Sequence, residues 1–142
     1  MTPLAFVAWA AHLGRLRLEG TLLSFLGLPV TAWVFTVLAL GELVGDKLPS
    51  TPARTRPGPF VARLVSGAMS GGAITAGTGG SLASGAVLGA IGAIAGTLGG
   101  YNARVRLVPA LKVPDTVVAL LEDLVAVGGA LLIVAALTGA AR

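Results

Sequence analysis

Apolar residues run through this chain in stretches too long and continuous for strands or one-sided helices. A helix that crosses about 30 Å of hydrocarbon needs about 20 apolar residues, and about 17 is the lower bound. Four stretches meet that length. The first covers 21–45 and is interrupted by Pro29, which either kinks it or marks a start nearer Leu28. The second covers 60–79, the third 82–101, and the fourth 116–138 with its Leu131–Leu132–Ile133–Val134 run. A fifth, over about 3–14, is too short to span alone and reads as a truncated, half-buried or interfacial helix. Trp9 and His12 near its end suit an interface. The pattern predicts one all-α domain over 1–142: an integral membrane helical bundle with four full transmembrane helices and a short N-terminal helix.

The connections give the bundle an order. Residues 47–59 carry Pro49, Pro52, Pro57 and Pro59 and read as a loop. Thr78–Gly79–Gly80–Ser81 is a tight uncharged turn that folds the two middle spans into an antiparallel hairpin. Residues 104–115 read as a basic connector with Pro109 and Pro114. Lys47, Arg54, Arg56, Arg104, Arg106 and Lys112 fall on one side, against Arg15, Arg17 and Arg142 on the other. The positive-inside rule then places loop 47–59 and connector 104–115 in the cytoplasm and the C-terminus outside.

Composition agrees with lipid as the surrounding medium. The chain is 55% hydrophobic and 11% charged, with a mean hydropathy of +0.90, whereas a soluble domain carries about 25% charged residues. A formal charge of +4 and a pI near 10.8 would otherwise point to nucleic acid. The basic residues, however, sit between spans and aromatic residues for base stacking are few, so no nucleic-acid partner is expected. Without cysteine there are no disulfides and no thiolate metal sites. The Met1–Thr2–Pro3 start lacks the basic-then-apolar order of a signal peptide, so the spans themselves direct insertion.

The central hairpin is rich in small residues. Gly67, Gly71, Thr75 and Gly79 recur every four residues in one span. Ser81, Gly85, Gly89 and Ala93 form one stripe of the next span, and Gly92, Gly96 and Gly100 another. In lipid such residues let backbones approach closely and pack by dispersion. The same flat faces would also suit a narrow path or sliding helices. A phosphate-cradling loop is excluded, because Gly77-Thr-Gly-Gly-Ser is not followed by Lys-Ser/Thr.

Charges inside the apolar stretches are the candidate chemistry. Glu42 and Asp46, followed by Lys47, are four residues apart and share a helix face. At 1.5 Å per residue, Glu42 lies roughly 6 Å above Asp46, Glu122 about 9–10 Å above Thr116, and Arg63 roughly 5 Å above Phe60. Asp123 adjoins Glu122, and Tyr101, Asn102 and Arg104 end the third span on the same side. The depths predict one buried cluster of acids and arginine near the cytoplasmic face. An unpaired acid at mid-span costs about 2.5–3.5 kcal/mol, so Arg63 is the natural partner of Glu122 or Glu42.

Three strings carry a resemblance: A-L-G-E-L-V-G-D-K-L-P-S-T-P-A-R-T, R-L-V-S-G-A-M-S-G-G-A-I and A-L-L-E-D-L-V-A-V-G-G-A-L-L. Together they resemble the domain-of-unknown-function family 4126 of small bacterial membrane proteins, over nearly the whole chain. The resemblance implies a compact multi-pass protein of the bacterial inner membrane and singles out Glu42, Asp46, Lys47, Pro49, Glu122 and Asp123; it supplies no reaction. Members have a longer first hydrophobic segment, whereas this chain opens at Thr2–Pro3–Leu4, as from a late start site. G-E-L-V-G-D-K is also similar to the E-x-G-D-K/R motif of manganese and calcium cation–proton exchangers, with an extra residue before Gly45 and no second copy. Clustered carboxylate oxygens suit hard cations, so that likeness implies a divalent-ion site.

Two functions stay open on these residues. The acids present oxygens to an ion, proton or small solute in a transport-related protein, or they form a helix-locking ion-pair network in a structural or accessory one. With so few helices, a transporter of this length would need to self-associate. An enzyme is not expected, since one His, no Cys and no nucleophile–base constellation leave little acid–base machinery. No cofactor is expected either, and which metal, if any, the carboxylates would take stays open.

Overall fold

The computed structural model describes residues 1–45, 57–111 and 115–140. Every element among the described residues is helical: α1 (Thr2–His12), a 3-10 turn (Ser24–Gly27), α2 (Pro29–Gly45), α3 (Pro57–Gly77), α4 (Leu82–Leu111) and α5 (Asp115–Ala140). Prolines open two of these helices. Pro29 starts α2 and Pro57 starts α3, since a residue without an N–H and with φ already near the helical value suits a first turn. The stretch 21–45 is therefore not one helix, and the start nearer Leu28 is the arrangement found.

Glycine closes α3. Gly79 sits at φ 83°. The Gly80 amide donates to the Thr75 carbonyl at 2.7 Å and the Gly79 amide to the Ala76 carbonyl at 3.1 Å. That pair of bonds is a Schellman ending, which caps carbonyls the helix would otherwise leave bare. The chain then turns straight into α4, giving the expected antiparallel hairpin.

The region 104–115 is not a simple connector. α4 continues through Arg104 and Arg106 to Leu111, with Pro109 inside its last turn. Basic residues do not end a helix, and a proline that late removes only the bond back to Val105. Only residues 112–114, outside the described residues, separate α4 from α5.

The short first helix is more buried than its length suggests. α1 packs against α2, α3 and α5 and supplies much of the core. Leu4 is 1% exposed, and Val7 and Ala10 join Leu16, Leu18, Leu26 and Ala73 in one buried cluster. α1 runs antiparallel to α2. The Trp9 indole Nε1 donates to Thr36 Oγ1 at 2.9 Å, and the Trp9 and Trp33 rings meet edge to face at 5.4 Å. A helix walled in by its neighbours need not cross lipid, so the 20-residue requirement does not apply to it.

α3 and α4 make the closest contact in the molecule. A β-carbon on Gly67 would lie 2.7 Å from the Gly89 carbonyl oxygen, and one on Gly71 would lie 2.9 Å from the Gly89 Cα. Gly85 likewise faces the Gly71 carbonyl and Thr75. Gly92 and Gly96 have open space around them, and Gly100 is half-buried. Of the two glycine stripes on α4, the Gly85–Gly89 one makes this contact.

Many large apolar side chains among the described residues are exposed. Val30, Trp33 and Val37 on α2, Leu88 and Ile91 on α4, and Leu124, Val125 and Leu132 on α5 are all exposed. Among the described residues one helix, over Leu82–Ala110, is long and apolar enough to cross a membrane, with a hydropathy of 1.7. Pro29–Gly45 and Asp123–Ile133 are shorter apolar stretches.

Candidate functional site

Glu42 stands where three helices meet. Because α1 lies antiparallel along α2 with Trp9 beside Thr36, its N-terminus arrives next to Glu42, three residues short of the end of α2. α3 enters from the same end and brings Arg63, on its second turn, to the same level. Arg63 Nε donates to Glu42 Oε1 at 3.3 Å, and the Met1 amine pairs with Glu42 Oε2. One carboxylate thus accepts cations from two other helices, an arrangement that holds α1 and α3 to α2.

The site is half-buried. The Glu42 and Arg63 side chains are 26% and 21% exposed. A fully buried cluster was expected; among the described residues the buried polar side chains are Ser66, Ser70 and Thr97, all uncharged. Below Arg63 the inner face of α3 satisfies its own hydroxyls. Ser66 Oγ donates to the Arg63 carbonyl at 3.1 Å and Ser70 Oγ to the Ser66 carbonyl at 2.7 Å. Such back-bonding lets serine sit in a dry contact. No buried side-chain polar atom among the described residues lacks a partner.

The wider cluster does not gather as the depths implied. The hairpin register sets Gly67 between Gly89 and Ala93 and Gly71 between Gly85 and Gly89, so Arg63 faces the stretch from Ala93 to Thr97. Tyr101 is four to eight residues further along α4, about 6–12 Å past Arg63. Its side chain is exposed, and the Asn102 amide donates to its own helix at the Leu98 carbonyl, 2.8 Å away. The depth argument placed both beside Arg63 because it measured each span from an assumed end. The contact register between helices, which no depth count contains, moves them apart. Asp46 and Lys47, and the side chains of Arg104 and Glu122, lie outside the described residues. Asp123 is half-buried on α5.

Among the described residues no group of three or more His, Cys, Asp or Glu could hold a metal ion. The second acid of the exchanger-like motif, Asp46, falls outside them. No family model matches the chain, and no curated protein or solved structure is similar to it.

Proposed function

We propose that this chain is a multi-pass integral membrane protein of architectural or accessory role, in which Glu42 is a latch for the helices. The observation that carries this reading is the Arg63–Glu42 pair: Arg63 Nε donates to Glu42 Oε1 at 3.3 Å and ties α3 to α2. An acid so neutralised has little capacity left for a travelling ion. The apolar exterior supports lipid as its surroundings, because soluble monomers rarely expose contiguous apolar patches beyond a few hundred Å². On this reading α2, α3, α4 and α5 are the spans and α1 is a half-length helix packed against α2, α3 and α5. The Glu42 end, with the following Pro-rich loop and the basic end of α4, faces the cytoplasm.

Transport is the second reading. Asp123, half-buried within the apolar part of α5, favours it, with Glu122 beside it. A flux assay in proteoliposomes, across protons and divalent cations, separates the two. The latch predicts wild-type flux no greater than that of empty liposomes, and no change in Glu42→Gln. Flux that disappears in a folded Glu42→Gln or Glu122→Gln variant would overturn the architectural reading.

A further inference from the structure

A second polar site lies at the end of the molecule opposite Glu42. Here the link between α1 and α2 borders a cleft of about 520 Å³, whose polar lining is His12, Arg17, Glu19 and Ser24. The link is pinned. Leu16 and Leu18 are buried in the core, and Leu16 fills the space beside Gly77. Arg15, Arg17 and Glu19, which alternate with them, are exposed. Arg17 and Glu19 are two residues apart, so their Cα atoms are at most about 7 Å from each other. Opposite charges this close line one cleft, yet neither forms an ion pair with another described residue.

The rest of the cleft is also fixed. The His12 ring donates through Nδ1 to the Gly27 carbonyl at 3.1 Å and stands edge-on to Trp9 at 5.7 Å, leaving Nε2 as its remaining polar atom. Leu28, in the cleft's lining, is 55% exposed, and Leu13 and Leu22 in the same link between α1 and α2 are exposed too. A cleft with one cation, one anion and a histidine carries almost no net charge. Its complement is a ligand holding both signs a few ångströms apart, with an apolar tail attached.

We propose that this cleft binds the phosphoethanolamine headgroup of a zwitterionic phospholipid. Arg17 faces the phosphate, Glu19 and the His12 Nε2 lone pair accept from the ammonium, and Leu28 lies along the acyl chains. A phosphoglycerol headgroup would offer Glu19 only neutral hydroxyl donors in place of an ammonium, and its net negative charge would add like-charge repulsion. A choline headgroup has no N–H to give. The inference rests on the membrane reading above and concerns a site separate from the latch.

Native mass spectrometry of the detergent-purified protein tests it, titrating phosphatidylethanolamine, phosphatidylglycerol and phosphatidylcholine, with soluble phosphoethanolamine as competitor. Phosphatidylethanolamine is expected to bind about tenfold tighter than either other lipid, the worth of one charge-assisted hydrogen bond. Glu19→Gln is expected to erase that preference, and Arg17→Gln to weaken phosphatidylethanolamine and phosphatidylglycerol together. Both side chains are exposed, so the thermal melt should not move. Equal affinity for the three lipids, or a preference that survives Glu19→Gln, overturns the proposal. Displacement of the lipid by soluble phosphoethanolamine at matching concentration overturns the lipid as its source. A protein that needs detergent but ignores headgroup chemistry defeats this inference alone; one that needs no detergent defeats the membrane reading first.

Discussion

Replacing Gly71 with leucine will prevent α3 and α4 from closing, while the same replacement at Gly92 or Gly96 will leave the thermal melt unchanged. The difference lies in what a side chain would meet. At Gly71 a β-carbon alone falls 2.9 Å from the Gly89 Cα and against the Gly85 carbonyl. Both are backbone groups, which cannot turn aside as a side chain can, so the helices must separate. One added methyl in such a contact costs about 1–3 kcal/mol, and an isobutyl group costs more. In lipid the loss is not offset elsewhere, because close packing of small residues is what associates the helices. Gly92 and Gly96 meet nothing within 4 Å. Melts in detergent, read by circular dichroism, check this. A Gly71→Leu variant that unfolds at the wild-type temperature would show that the hairpin contact is not close.

Removing the Arg63 guanidinium is the second large perturbation. Arg63→Ala leaves Glu42 with the Met1 amine on Oε2 and no cation on Oε1. Breaking a fully buried ion pair costs about 3–5 kcal/mol. Both side chains here are partly open to solvent, which screens the charge. A loss of about 1–3 kcal/mol is therefore expected. Arg63→Lys should recover part of it, as a point charge without the fork of the guanidinium. Adding Glu42→Gln to Arg63→Ala should cost less than the two single losses added together, since the Arg63–Glu42 pair can be lost only once. The latch fails if Arg63→Ala melts like the wild type, or if the double variant is as weak as the two single losses added together.

How much of this was legible follows from which rule governs each residue. Helices at α2 to α5 could be read from length, because only long apolar runs produce such stretches. The contact of Gly67 and Gly71 with Gly85 and Gly89 could be read from a four-residue spacing on both sides of a tight turn. Glu42 and Arg63 could be placed together because each lies a short helical distance from the same Pro-rich loop. Tyr101 and Asn102 could not be excluded from the site, because inter-helix register is a property of the packed pair and not of either sequence. The central position of α1 was illegible for a similar reason. Its length marks it as too short to cross lipid, and nothing in 11 residues says that neighbours will enclose it. Gly92 and Gly96 carry the same spacing as the packed stripe, and only the rotation of α4 against α3 separates the two.

The lipid-facing exterior is the claim beneath all of these, and membrane extraction tests it most directly. Membranes from cells making the chain are washed in alkaline carbonate, and the released and retained fractions are then run on gel filtration without detergent. The protein should stay in the pellet, leave it only with detergent, and aggregate when the detergent is withdrawn. Its appearance in the wash as a monodisperse species in plain buffer would contradict the account.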